Sequence, residues 1–193
     1  MKIAVFASGN GSNFEAIANQ IRAENNEAEL VLLFCDRKQA FVIERSRQLG
    51  IPSYSFSPAD FTSKTEYEEA ILALLQENQI ELIVLAGYMR LIGTTLLMAY
   101  QQKILNIHPA LLPDFPGLHG IRDAFEAQVS QTGVTIHLVD DGVDTGPIIA
   151  QEAVSLEVGE TLESLERKIH QVEHRLYPIV IQQFIEELEM SKN

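Results

Sequence analysis

The sequence predicts an α/β protein with a doubly wound, mainly parallel sheet and helices on both faces. Short apolar runs with the length of strands alternate along the chain with segments whose apolar residues recur every three or four positions. The runs are continuously apolar instead of alternating with polar residues. This pattern is typical of strands that are buried on both faces of a parallel sheet.

Strands and helices alternate through the first half of the chain. Five apolar runs are expected to form strands, at residues 2–7, 30–35, 53–56, 82–86 and 104–107. The segments between them have helical periodicity, and helices are expected at residues 12–23, 39–49, 65–78 and 94–102. Gly50 and Pro52 mark the end of the second helix, because a glycine cap followed by proline stops a helix.

The second half of the chain has a different pattern. Residues 109–120 hold three prolines and two glycines, which predicts a loop. Strands are expected at residues 134–139 and from Pro147 to about Val154. A long amphipathic helix is expected over residues 161–188, with a kink at Pro178. We expect one domain over residues 1–193, divided into an N-terminal part to about residue 100 and a C-terminal part from about residue 101, since no linker interrupts the pattern.

The composition is that of a globular protein. Of the 193 residues, 46% are apolar and 21% are charged, so the chain can bury a core. The net charge of −13 repels nucleic acid and anionic lipid, so neither is expected as a partner. The first apolar run is too short for a signal peptide and no stretch is long enough to span a bilayer, so a cytoplasmic protein is expected. Cys35 lies within an apolar run and is interpreted as a reduced core thiol.

A glycine turn at residues 8–13, with the sequence Ser-Gly-Asn-Gly-Ser-Asn, follows the first strand and opens the first helix. The first N–H groups of a helix and its dipole attract anions, so this turn is a candidate phosphate site despite the net charge. Phe14 replaces the third glycine of the dinucleotide fingerprint, and no lysine follows Gly11 as it would in a Walker loop. A plain tight turn is the alternative interpretation.

Asn106 and His108 end a predicted strand two residues apart, so their side chains share one face. Ligands of open α/β sheets bind at the carboxyl ends of the strands. An amide N–H and an imidazolium proton there could hold the oxyanion of a tetrahedral intermediate. On this pattern alone, a pair of polar groups that only satisfy each other in the core is an equal alternative.

An acidic turn follows the strand at residues 134–139, with the sequence Asp140-Asp141-Gly142-Val143-Asp144-Thr145-Gly146-Pro147. A calcium loop needs Asp or Asn at its third position and Gly at its sixth, where this turn has Gly142 and Thr145. Two interpretations remain. The turn is either solvated, or it delivers a carboxylate towards a histidine.

The sequence His170-Gln171-Val172-Glu173-His174 matches the His-x-x-Glu-His pattern of one class of zinc protease. Two histidines four residues apart on a helix suit a metal ion. No acidic third ligand is evident downstream, and Val172 already belongs to the apolar stripe of this helix. We interpret the match as accidental and expect no metal.

Taken together, six segments resemble the formyltransferase family that uses 10-formyltetrahydrofolate, in the order and at the spacing of that family. These segments are residues 6–13, 85–90, 106–113, 115–117, 133–137 and 143–149. The resemblance implies the formyltransferase fold over residues 2 to about 185. Methionyl-tRNA formyltransferase carries a further C-terminal domain and basic surface, and formyltetrahydrofolate hydrolase a further N-terminal domain. The length and charge of this sequence therefore favour the branch that formylates a small phosphorylated amine.

The resemblance implies direct transfer of the formyl group to the amine of glycinamide ribonucleotide, giving formylglycinamide ribonucleotide and tetrahydrofolate in de novo purine biosynthesis. Its implied catalytic residues are Asn106 and protonated His108, which stabilise the oxyanion, and Asp144, which pairs with His108. His137 either supports this group or is a satisfied core histidine. No metal is implied, and the choice between a monomer and a homodimer stays open.

The binding residues are likewise implied by the resemblance. Gly11, Ser12 and Asn13 would hold the substrate phosphate, and Glu173 would meet the amine end of the substrate. The folate pocket would be formed by Lys64, Met89, Arg90, Leu91, Ile92, Asn106, Val139, Asp140, Asp141, Gly142, Val143 and Asp144. Arg90 would meet the glutamate carboxylate of the folate.

Two departures from the family pattern and two rival classes remain. Lys64 stands where some relatives have arginine, and the stretch from His119 to Gly133 is shorter than in many relatives. A nucleotide-binding redox domain would use an acidic residue at the end of the second strand, where Asp36 stands. A non-catalytic ligand-binding module would not need Asn106, His108 and Asp144 together.

Overall fold

The computed structural model describes residues 1–23 and 28–191, and its centre is a seven-stranded sheet in the order β3-β2-β1-β4-β5-β6-β7. The strands are β1 (Lys2–Ala7), β2 (Glu29–Cys35), β3 (Ser53–Ser55), β4 (Leu82–Leu85), β5 (Ile104–His108), β6 (Gln131–Leu138) and β7 (Ile148–Ser155). The pairs formed among β1 to β5 are parallel, and β6 is antiparallel to both β5 and β7. The predicted fold class is therefore confirmed.

Within the described residues, six α-helices and a short 3₁₀ helix at Pro58–Asp60 connect or cover the strands. The α-helices are α1 (Ser12–Ala23), α2 (Phe41–Gln48), α3 (Lys64–Glu77), α4 (Thr94–Ala99), α5 (Gly120–Glu126) and α6 (Leu162–Met190). The helix α5 was not predicted, and β6 begins three residues before its predicted start. With seven residues and no side-chain cap, α5 is too short for its apolar periodicity to identify it. The helix α6 continues through Pro178, where a kink was expected.

The strand β1 shows how the two faces of the sheet are covered. Val5 and Ala7 belong to a core with apolar residues of α1 and α6, whereas Ala4 and Phe6 belong to a second core with α3 and α4. All four are completely buried. Because successive side chains of a strand point to opposite faces, a continuously apolar strand requires helices on both sides.

The strand order reverses between β1 and β4, which are neighbours in the sheet although two strands separate them in sequence. The connections that follow these two strands diverge there and leave a crevice at their carboxyl ends. The glycine turn follows β1, and residues 86–93 follow β4 at this edge. No helix in the described part of the chain is both long enough and apolar enough to cross a membrane.

Candidate active site

A cavity of about 520 Å³ opens at the carboxyl ends of β1, β4 and β5. Its lining is largely apolar and includes a few converging polar groups, as is common in small-molecule sites. The lining residues are Asn13, Leu85, Gly87, Tyr88, Met89, Arg90, Leu91, Ile92, Asn106, Ile107, His108, Pro109, Gly117, Leu118, His137, Val139, Asp140, Asp141, Gly142, Val143, Asp144, His170 and Glu173.

Four polar side chains form a compact group in this cavity, which we call the histidine–aspartate cluster: Asn106, His108, His137 and Asp144. Asn106 and His108 lie on β5, and the antiparallel register pairs Asn106 with His137 on β6. Asp144 enters from the turn between β6 and β7. The pairing of β5 with β6 thus brings together residues that are about 30 positions apart in sequence.

His108 is held through both of its ring nitrogens. Its Nε2–H donates to the Phe115 carbonyl oxygen at 2.7 Å, because a carbonyl can only accept a hydrogen bond. Its Nδ1 lies 3.5 Å from Asp144 Oδ2. The ring is therefore oriented with one nitrogen on the Phe115 carbonyl oxygen and the other facing the Asp144 carboxylate.

His137 has the complementary arrangement. Its Nδ1–H donates to the Leu138 carbonyl oxygen at 2.8 Å, and its Nε2 lies 3.2 Å from Asn106 Nδ2. This contact orients the Asn106 amide. The second hydrogen on Asn106 Nδ2 is then available to an acceptor in the cavity.

Asp144 lies between the two histidines, with its Oδ1 3.6 Å from His137 Nε2. The Gly117 N–H donates to its Oδ2 at 2.8 Å and joins the loop after β5 to the turn after β6. Burial on its own would raise the Asp144 pKa. Its contact with His137, the Gly117 hydrogen bond and the nearby His108 together hold that pKa below the usual value. The carboxylate is therefore ionised at neutral pH.

Asp144 also has a φ of 54°, in the left-handed region that non-glycine residues rarely occupy. Such a conformation persists only where the surroundings impose it, and it is often found at functional sites. Two hydrogen bonds within the turn help to impose it. The Asp140 carboxylate accepts them from the Gly142 N–H and from the Thr145 hydroxyl.

The glycine turn lies at the start of α1. Gly11 has a φ of 80°, and a Cβ at this position would lie 2.3 Å from Val42 Cγ2. Arg45 on α2 donates to the Asn10 carbonyl oxygen and to its side-chain oxygen, each at 2.8 Å. The turn is thereby fixed, and the first N–H groups of α1 have no acceptor within the helix.

The side chains of α6 close the glycine turn from the opposite side. Glu173 accepts a hydrogen bond from His170 Nδ1 at 2.8 Å and one from Asn13 Nδ2 at 3.3 Å. His174 Nε2 lies 2.9 Å from the Ser12 hydroxyl oxygen. The two histidines therefore have separate partners. In the residues described, no group of three or more His, Cys, Asp or Glu side chains has the arrangement of a metal site.

The other candidate residues fall into two groups. Most of the expected folate residues line the cavity, and the side chains of Met89, Leu91 and Val143 form an exposed apolar rim. Lys64 begins α3 and is absent from the lining. Gly11 and Ser12 lie beside the cavity, which their neighbour Asn13 enters.

The sequence analysis did not identify the groups that hold the candidate residues in place. The Phe115 carbonyl and the Gly117 N–H are backbone atoms, which no residue pattern marks. Asp36 was considered only as a feature of a redox domain. In the structure its carboxylate instead accepts from Ser8 and Arg90.

The asparagine, the two histidines and the aspartate stand at the carboxyl edge of a doubly wound sheet, where α/β proteins bind their ligands. The sequence pattern described as formyl transferase matches residues 1–181, and the chain belongs to this family. It is similar to the phosphoribosylglycinamide formyltransferase of Bacillus subtilis strain 168, with 54% identity over 184 residues that cover 95% of this chain and 94% of the relative.

More distant relatives and solved structures agree with this assignment. The phosphoribosylglycinamide formyltransferase of Escherichia coli strain K12 is 34% identical over 194 residues, which cover 100% of this chain and 92% of that protein. The crystal structure of the Bacillus halodurans phosphoribosylglycinamide formyltransferase has a TM-score of 0.93 and 52% identity, covering 96% of this chain and 95% of that one.

Proposed function

We propose that this protein transfers the formyl group of 10-formyltetrahydrofolate to the amine of glycinamide ribonucleotide, a step of purine biosynthesis. The observation that carries the proposal is the layout of one cavity. Its lining combines Asn13, at a helix N-terminus suited to a phosphate, with the histidine–aspartate cluster and with an apolar rim suited to a folate. The names of the relatives in Bacillus subtilis and Escherichia coli support the same substrate.

Binding of the amine substrate would begin at the glycine turn. The free N–H groups of Gly11, Ser12 and Asn13 would hold the phosphate, which overcomes the negative net charge locally. Glu173, whose carboxylate is largely buried next to Asn13, would then face the amine end. These contacts would hold the nucleophile in the cavity that the cluster also lines.

The chemistry would follow from the cluster. The amine nitrogen attacks the formyl carbon, and the formyl oxygen becomes an oxyanion that accepts the free N–H of Asn106 and interacts with the positive charge of His108. The attacking nitrogen loses a proton, with Asp144 assisting, and N10 of the folate departs with a proton as the C–N bond breaks. The proton lost by the amine balances the proton gained by N10, and the proposal requires no metal.

The folate would occupy the side of the cavity that is formed by residues 88–92 and 139–144. Its rings would pack against the apolar side chains there, and Arg90 would lie near the carboxylates of its tail. The exposed Met89, Leu91 and Val143 would be covered when the co-substrate binds, which gives them a reason to lie at the surface.

The test is an assay of the purified protein with both substrates, in which the formation of tetrahydrofolate is followed with and without glycinamide ribonucleotide. We expect product only when the amine is present, because the glycine turn would serve no purpose in hydrolysis. Deformylation at the same rate without the amine would contradict the transferase function.

A further inference from the structure

Residues 88–92, which we call the folate segment, depend on a buried carboxylate that does not line the cavity. Asp36 follows β2, Ser8 follows β1 and the folate segment follows β4. These three strands are adjacent in the sheet, so their carboxyl ends place the residues side by side. The side chain of Asp36 is 1% exposed, and that of Arg90 is 41% exposed.

Asp36 holds the folate segment through two arms. Through the first, its Oδ1 accepts the Ser8 hydroxyl at 2.6 Å, and the Ser8 oxygen accepts the backbone N–H of Met89 at 2.9 Å. Through the second, its Oδ2 accepts Arg90 Nε–H at 2.6 Å. The carboxylate thus fixes both the backbone at Met89 and the direction of the Arg90 side chain.

A buried carboxylate is costly unless it is paired and hydrogen-bonded. Asp36 meets this condition because both of its oxygens are paired. Its Oδ1 accepts from Ser8, which holds the folate segment, and its Oδ2 accepts from Arg90, which belongs to that segment. An exposed ion pair would contribute little to holding a loop, whereas a charged hydrogen bond to a buried oxygen is much stronger. The arrangement therefore orders the segment before any ligand is present.

We propose that Asp36 is a positioning residue that presets the folate segment, and thereby sets the affinity for the folate co-substrate without touching it. This inference rests on the proposed function. Preorganisation lowers the cost of ordering the site when the ligand binds, so its loss should appear in folate binding. Asp36 contacts the glycine turn at its first residue, Ser8, which lies before Gly11, Ser12 and Asn13, so the affinity for the amine substrate should change much less.

Asp36→Asn is the informative variant because it preserves size and removes one arm. Ser8 O–H and Arg90 Nε–H both donate, but an amide offers one acceptor and one donor in place of two acceptors. The Ser8 oxygen already accepts from Met89, so the network cannot rearrange to satisfy every donor. Ser8→Ala removes only the Met89 arm and leaves the pair of Asp36 and Arg90 intact.

The experiment measures kcat and both Michaelis constants for the wild type, Asp36→Asn and Ser8→Ala. For Asp36→Asn we expect the KM for 10-formyltetrahydrofolate to rise about tenfold, with the KM for glycinamide ribonucleotide and kcat changed less than about twofold. Ser8→Ala should raise the KM for 10-formyltetrahydrofolate by a smaller factor. In the double variant this KM should rise by less than the product of the two single-variant factors, since both substitutions act through one network.

Asp60→Asn is the matched control, because it removes an exposed carboxylate that pairs with Lys38 at 3.1 Å, outside the cavity. It should leave both Michaelis constants unchanged.

A lower melting temperature in Asp36→Asn with an unchanged KM for the folate would reduce Asp36 to a structural role and overturn the inference. If Asp36→Asn does not fold, an unchanged KM for the folate in Ser8→Ala overturns it instead. A wild type without any transferase activity would remove the proposed function, whereas an active wild type with unaffected variants removes only the inference.

Discussion

The glycine turn and the histidine–aspartate cluster adjoin the same cavity, but they are built from different parts of the chain. The turn consists of six consecutive residues, and it offers backbone N–H groups at the start of α1. The cluster gathers buried and half-buried side chains from β5, from β6 and from the turn before β7, and its geometry depends on the carbonyl of Phe115 and the N–H of Gly117.

This difference predicts which substitutions abolish the function of each region. A site made of backbone tolerates changes of side chain unless they alter the conformation or bring in a charge. A site made of side chains loses its function when one charge or one proton is removed, even if the fold stays intact. The following five experiments test this contrast, in order of decreasing expected effect.

Asp144→Asn should have the largest effect, because it removes the charge that faces His108 and preserves the size of the side chain. We expect kcat to fall by roughly 10²–10⁴-fold, the usual contribution of a positioned acid–base group. Asp114→Asn, on the exposed loop after β5, is the control and should keep full activity. An Asp144→Asn variant with a normal rate would remove Asp144 from the catalytic group.

Ser12→Asp should damage the glycine turn by charge. A carboxylate at the start of α1 would occupy the N–H groups that we assign to the phosphate and would repel it. We expect the KM for glycinamide ribonucleotide to rise about a hundredfold, with little change in the KM for the folate. Ser12→Ala, which only removes the hydroxyl near His174, should cause a much smaller rise. An unchanged constant in Ser12→Asp would place the phosphate elsewhere.

Gly11→Ala should damage the same turn through its backbone, without adding charge. The new Cβ would lie 2.3 Å from Val42 Cγ2, in a residue whose φ is 80°. We expect the KM for glycinamide ribonucleotide to rise about tenfold, which corresponds to about 1.4 kcal/mol. Gly50→Ala is the matched control, because its φ is 64° but no atom lies within 4 Å of the new Cβ. Both variants should melt earlier than the wild type, and equal KM values in the two would show that the turn does not bind substrate.

The pH dependence of stability should report the charge of Asp144. Its pKa is lower in the folded protein than its ordinary value of 3.8, so its contribution to stability is present above that value and is lost as the pH falls through the folded pKa. We expect the difference in melting temperature between the wild type and Asp144→Asn to shrink as the pH falls from about 5 to about 3. A constant difference over this range would contradict the ionised, paired carboxylate.

Removal of metal should have the smallest effect. His170 and His174 have the sequence spacing of a zinc site, but their ring nitrogens contact Glu173 and Ser12 respectively. Dialysis against EDTA should therefore leave the transferase rate unchanged. Loss of activity that returns on addition of zinc would contradict this interpretation.

The parts of the fold that could be predicted are those with a strong local signal. The strand β4 reads as four consecutive buried apolar residues, and its predicted position differs from the observed one by a single residue. The short helix α5 could not be predicted, because seven residues with no side-chain cap do not establish a period. The first three residues of β6, from Gln131, were not predicted for a similar reason, since they do not form an apolar run.

The candidate site divides in the same way. Gly11 and its neighbours were identified from contiguous residues, and Asn106 and His108 from their spacing on one strand. The acidic turn by itself left open whether its carboxylate meets a histidine, and only the resemblance to a family implied the pairing of Asp144 with His108. No local pattern connects this turn with a strand more than 30 residues away. The roles assigned to all these residues remain predictions that the experiments above address.

By itself, the sequence determined the alternation of strands and helices, the faces that they bury and the glycine turn at the start of α1. These features depend on interactions between near neighbours in the chain, which a periodic pattern records. Only the tertiary structure decided that Asp36 holds Ser8 and Arg90, that the Phe115 carbonyl holds His108, and that Glu173 reaches Asn13. Each of these contacts joins atoms from separate elements, and several involve backbone atoms that every residue possesses. Their partners are therefore set by how the strands and helices pack, which leaves no mark in the local sequence.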